Sequence, residues 1–238
     1  MELILMVRCL IFSYLAFLLA TGANAQTNKA TLSLQLSFPQ GEYKEKYPVT
    51  ASGLLFGVVH QLKERSALSI GGELGIMQVS GDQDNYTGVY NNEYNTFHVA
   101  SWNHIITLAT LFRADLLNVD NSWNVYIDVS LGVNIFLTTA TITRDLFYNP
   151  ITNSNVAKYE YSDTHTGCSF RAGTGLGIEI PLGKNKKTAL LFKGSYLYGS
   201  SVKYYGRPAI QNTQIILDPK KSKTSMILAE TGIRFGIF

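Results

Sequence analysis

The chain has 238 residues, of which 46% are hydrophobic and only 16% charged, and its formal net charge is +3. That length holds one large all-β domain or two small ones. A charged fraction well below the roughly 25% of soluble domains excludes a densely charged water-facing surface, and so small a net charge excludes a globally basic nucleic-acid binder.

At the N-terminus, Arg8 is the only basic side chain ahead of an apolar run from Cys9 to Ala20. The run leads into Thr21-Gly-Ala-Asn-Ala25, an A-x-A cleavage pattern before Gln26. It is shorter than the ~20 residues of a helical membrane span. Residues 1–25 therefore read as a secretory signal peptide and residues 26–238 as the exported domain. After cleavage Cys168 is the one cysteine left, so no intramolecular disulfide forms.

From residue 30 onward the dominant period is two, which sends alternate side chains to opposite faces of a sheet. Eight such runs lie near 30–38, 50–62, 67–79, 102–115, 123–143, 166–180, 188–198 and 224–238. Each can supply the ~9–11 tilted residues that cross a bilayer as β-structure. In the first run Ala30, Leu32, Leu34, Leu36 and Phe38 alternate with Thr31, Ser33, Gln35 and Ser37. In the fifth, Val125, Ile127, Val129, Leu131, Val133, Ile135 and Leu137 alternate with Asn124, Tyr126, Asp128, Ser130, Gly132 and Asn134. The connections 63–66, 116–122 and 181–187 are short, whereas 39–49, 80–101, 144–165 and 199–223 are long and rich in Asn, Tyr, Asp and Lys. Short-long alternation with both termini on the short side is the layout of a transmembrane β-barrel with short periplasmic turns and long extracellular loops.

Alternation alone does not say which face looks inward. A lipocalin-like barrel buries its apolar face and a membrane barrel shows it to lipid. The polar face here is built from small residues: Ser69, Gly71 and Gly75; Ser169, Gly173, Gly175 and Gly177; Gly232 and Gly236. Small residues suit a crowded interior. The charges on that face are Glu73, Asp128, Glu179 and Glu230 against Arg113, Arg171, Lys193 and Arg234. Equal numbers are expected if they pair, because an unpaired charge in a narrow interior costs several kcal/mol. An eight-stranded barrel is just wide enough for such side chains to fill, which predicts a plugged core. Trp102, Trp123, Tyr196, Tyr198, Phe112 and Phe235 stand near run ends, where aromatic girdles form at the two interfaces.

The last run, Glu230-Thr-Gly-Ile-Arg-Phe-Gly-Ile-Phe238, ends on an aromatic residue. With the leader and the eight runs, the mature chain resembles the OmpA/OmpX-like outer-membrane β-barrel superfamily, in which a terminal Phe such as Phe238 acts as an assembly signal. Here Ile233, Phe235 and Ile237 set an apolar face one residue out of step with Phe238. Gly177-Ile-Glu-Ile-Pro-Leu-Gly183, followed by a Lys-rich turn and an aromatic strand, resembles the small porin-family and PorT-like barrels of Bacteroidota. The resemblance implies an all-β, eight-stranded antiparallel up-and-down barrel in the outer membrane. The partners it implies are membrane lipid or lipopolysaccharide, the barrel-assembly machinery, and an envelope or secretion-complex protein.

Signatures of other chemistry fail on spacing. Gly177 to Lys184 is no phosphate loop, and Gly173-Thr-Gly-Leu-Gly177 lies inside a strand pattern, so no nucleotide cofactor is expected. Asp82 and Asp84 start a calcium-loop pattern that Tyr86 breaks. His60, His98, His104 and His165 form no metal-ligand pair. His104 with Ser101 beside it is the pair from which a barrel enzyme would be built. The last long connection carries Lys203, Tyr204, Tyr205, Arg207, Lys220, Lys221 and Lys223, a basic and aromatic group suited to lipopolysaccharide phosphates or an acidic partner. The expected function is a non-enzymatic barrel that anchors external loops for envelope integrity or adhesion. A component of a secretion or transport machine, a small porin and a lipid-modifying enzyme are the alternatives.

Overall fold

The computed structural model describes residues 28–63, 66–90, 93–117, 123–144, 147–149, 154–156, 159–183, 187–205, 209–211, 214–216 and 219–237. Residues 1–25, expected from the sequence to be a leader, and Phe238, expected to be an assembly signal, lie outside these residues. The chain forms β1 (Asn28–Pro39), α1 (Gly41–Lys46), β2 (Ala51–Gln61), β3 (Leu68–Tyr90), β4 (Glu93–Asp115) and β5 (Asn124–Arg144). There follow β6 (Phe147–Asn149), β7 (Ser154–Val156), β8 (Tyr159–Leu182), β9 (Thr188–Gly199), β10 (Ser201–Tyr205), β11 (Ala209–Gln211), β12 (Gln214–Ile216), β13 (Pro219–Lys223) and β14 (Met226–Ile237).

Eight of these strands close a barrel in the order β1-β14-β9-β8-β5-β4-β3-β2, every pair antiparallel. Closure comes from the terminal strands, with Asn28 opposite Ile237 and Pro39 opposite Met226. Closing the ring leaves no edge along the shared height of the wall, which a sheet needs where water cannot pair its backbone.

The period of two sets the faces directly. In β1, Leu34 is 61% exposed and Gln35 beside it 2%. The same inversion holds around the ring. Phe56, Ile76, Leu131, Leu176, Phe192 and Ile233 look outward, while Ser69, Ser130, Asn134 and Ser169 are buried in the lumen.

The long connections depart from the sequence expectation. Residues 80–101 are expected to be a loop, yet β3 and β4 pair through almost all of it, from Ser80 opposite Asn103 to Tyr90 opposite Glu93. β5 and β8 likewise stay paired out to Arg144 and Tyr159. Trp102, expected to open its strand, therefore sits well inside β4. The cause lies in the sequence of these extensions, which does not alternate apolar with polar residues. No apolar face is demanded there, and the alternation that marks a strand fades from the sequence while the backbone ladder continues. The outward positions beyond the belt turn to hydroxyls, with Thr139 bonded to Thr164 at 3.2 Å and Thr141 to Ser162 at 3.5 Å. The wall is therefore tall on the side of β3, β4, β5 and β8. It is low on the side of β9, β14, β1 and β2, where α1 and the β10–β13 hairpin occupy connections expected to be open loops.

Candidate functional site

The described side chains of the lumen lie in layers. At the end bearing the termini, the eight charges singled out from the sequence meet in one connected cluster. Register alone supplies two contacts: Arg113 stands opposite Asp128 on neighbouring strands, and Lys193 opposite Glu230. Arg113 donates Nε to Asp128 Oδ1 at 2.8 Å, its Nη2 to Oδ2 at 3.1 Å, and its Nη1 to Glu179 Oε1 at 2.7 Å. Arg234 approaches Glu179 at 3.2 Å, and Lys193 reaches Glu230 at 3.0 Å and Asp128 at 3.6 Å. The remaining contacts cross the lumen. Glu73 on β3 accepts from Lys193 on β9 at 2.9 Å and from Arg171 on β8 at 3.3 Å. β3 and β9 stand half-way round the ring from each other.

Three members of this layer were not singled out from the sequence. Lys29 lies 3.6 Å from Asp115 and 3.9 Å from Glu179, adding one charge of each sign. Lys29 continues the inward period one step before the run begun at 30, and Asp115 closes the inward period of the 102–115 run. The third is Tyr126, fully buried, whose ring carries the Arg113 guanidinium 3.7 Å above its centroid. Tyr126 stands opposite Gly177, where a β-carbon would meet the phenol ring at 2.2 Å. Glycine at 177 is what lets the tyrosine lie across the lumen.

Above the charges come amides and hydroxyls. Thr107 donates to Asn134 at 2.9 Å, Thr138 donates to Asn103 at 2.6 Å, and Asn103 donates to the Tyr47 hydroxyl at 2.7 Å. Tyr47 belongs to the external connection, so this bond ties the wall to the cap. The cap is aromatic. The Tyr43 ring lies 5.5 Å from Tyr204, edge on, and 6.2 Å from both Tyr47 and Phe136. Tyr43 on α1 and Tyr204 on β10 are each 3% exposed. Burial, with Tyr204 and Tyr47 adjacent, pushes the Tyr43 phenol well above its usual range. Burial raises Tyr204 too, against a 2.9 Å hydrogen bond with Ser222 that lowers it.

The basic and aromatic loop expected from the sequence thus divides. Tyr204 turns into the mouth, Lys203, Lys221 and Lys223 are exposed, and Lys220 is half-buried. The side chain of Tyr205 and all of Arg207 lie outside the described residues. Ser101 is buried in the lumen while His104 lies on the opposite face of β4, so that pair does not converge.

The outer face is the apolar counterpart. Trp102, Phe38, Tyr196 and Tyr198 ring one end of the belt, and Trp123, Phe112 and Phe235 the other, all exposed. From Trp102 to Phe112 are ten residue steps. At about 3.3 Å each and a tilt of about 40° they rise about 25 Å, the height of the lipid-facing band of a membrane barrel. Polar side chains turned to the lumen behind an apolar belt between aromatic residues are the distribution of a barrel wall that meets lipid.

No protein-family model matches this sequence, and no curated protein matches it. Solved structures do. The chain is similar to Neisserial surface protein A, with 9% identity and a TM-score of 0.45 over 87% of this chain and 96% of that one. It is similar to a major outer membrane protein from Thermus thermophilus, with 11% identity and a TM-score of 0.48 over 88% and 99%. It is also similar to the N-terminal β-barrel domain of Pseudomonas aeruginosa OprF, with 9% identity and a TM-score of 0.36 over 89% and 100%.

Proposed function

We propose that this chain is a non-enzymatic integral protein of the bacterial outer membrane, whose closed barrel anchors external elements and carries no solute stream. The observation behind it is the contact of Glu73 with Lys193 across the full width of the lumen, at 2.9 Å. A channel of this strand number has no room left once such a bridge forms. The aromatic cap supports the same reading from the other end, since a solute would have to displace four packed rings before meeting the charges. The tall wall and the capped low wall then remain as the parts that face outward from the cell, suited to envelope integrity or adhesion.

The test is conductance of the full chain in planar bilayers. The expected result is a silent membrane with folded protein present. Large, steady unitary currents would overturn the closed-barrel reading.

A further inference from the structure

The β10–β13 hairpin places like charges against each other. Lys203 stands directly opposite Lys221, and Ser201 opposite Lys223. All four are exposed, while the alternate Val202, Tyr204 and Ser222 are buried in the mouth. Directly opposed side chains on an antiparallel pair have β-carbons about 5 Å apart, and like charges there repel. A clasp brings a further lysine to this face. Lys46 of α1 donates to the Lys221 carbonyl at 2.6 Å, and Lys220 returns a bond to the Lys46 carbonyl at 3.4 Å. Among the described residues no carboxylate forms an ion pair with Lys203, Lys221 or Lys223. Glu42 accepts from the backbone N–H of Lys223 at 3.2 Å.

The patch also has a level. Across the break at Thr224–Ser225 its Lys221 and Lys223 keep the parity of the outward residues of β14, whose Ile227 stands opposite Tyr196 of the outer girdle. Lys223 lies four residues beyond Ile227. At an extended spacing that is about 13 Å along the chain, or a rise of about 10 Å after tilt. The polar headgroup layer adds roughly 5–8 Å outside the hydrocarbon. A lysine arm bridges the difference by reaching back along the wall.

We infer that Lys203, Lys221 and Lys223 bind phosphate groups in the headgroups of the surrounding outer leaflet, seating the low wall of the barrel in an anionic lipid shell. An anion between Lys203 and Lys221 removes the repulsion the register imposes, and the clasp from α1 holds the hairpin in place to receive it. This rests on the membrane-spanning reading above.

The experiment reconstitutes the full chain in nanodiscs of phosphatidylcholine mixed with phosphatidic acid and counts retained lipids by native mass spectrometry. Wild-type protein is expected to retain phosphatidic acid over phosphatidylcholine, less so in high salt. The K203Q/K221Q/K223Q variant is expected to lose that preference by about fivefold per lysine. K63Q/K187Q, at the other rim, is expected to keep it. Equal preference in the triple variant overturns the inference. So does lysine-dependent binding of soluble tripolyphosphate with no lipid preference, which would assign the patch to a free polyanion. Each sample is also run unheated and boiled in SDS. Loss of the mobility shift in wild type would sink the barrel reading itself, whereas a retained shift without lipid preference sinks only the lysine assignment.

Discussion

At the scale of single residues, Glu73 carries the most consequence. It is buried, and it neutralises two cations brought from strands 98 and 120 residues away. A buried ion network of this kind adds little net stability over apolar packing, but removing one partner strands the others. Glu73→Ala should therefore lower stability by about 3–5 kcal/mol, read as a lowered urea midpoint in detergent micelles. An unchanged midpoint would mean that Arg171 and Lys193 are solvated in the lumen. The eight inward charges were legible from strand parity alone. Their partners were not, because parity says only that two groups share an interior, and the lumen-crossing contacts depend on where the ring closes.

At the scale of elements, α1 shows how little local sequence decides outside the belt. It has six residues, and Gln40 at its N-cap makes no side-chain capping bond. A helix so short is marginal by itself; its place is set by Tyr43 entering the mouth. That dependence makes the cap sensitive to alkali. The Tyr43 phenol titrates higher in the closed cap than in an opened one. Its contribution is then full below the usual tyrosine value of about 10, and is lost as pH rises beyond it, when only the opened cap ionises. Tyrosinate absorbance of the folded protein should lag that of the unfolded chain, and Tyr43→Phe should remove part of the lag. If Tyr43→Phe leaves the titration unchanged, the ring is not sealed in the mouth. The last connection follows the same logic. Lys203 and Tyr204 are neighbours in sequence, but β10 is a strand, so Tyr204 goes in and Lys203 goes out.

At the scale of the whole molecule, the decisive property is the inversion of inside and outside. It predicts that an exposed residue will behave as a buried one. Leu34→Arg, at one of the most exposed apolar positions, should cost about 2–4 kcal/mol in a bilayer, the penalty for a cation at mid-depth of the lipid face. A soluble barrel would tolerate the same change. Stability of the reconstituted variant equal to wild type would therefore argue that the face meets water. By itself the sequence determined the strand period, the number of wall strands, the polarity of each face and the balance of interior charge, because all of these are set by which solvent each side chain meets. Only the tertiary structure decided that β3, β4, β5 and β8 stay paired through stretches expected to be loops, that Glu73 bridges to β9, that Tyr126 lies over Gly177, and that α1 and β10 pack Tyr43 against Tyr204. Backbone pairing and contacts across a closed ring join residues far apart in the chain, and neither leaves a periodic trace in the sequence on either side of the contact.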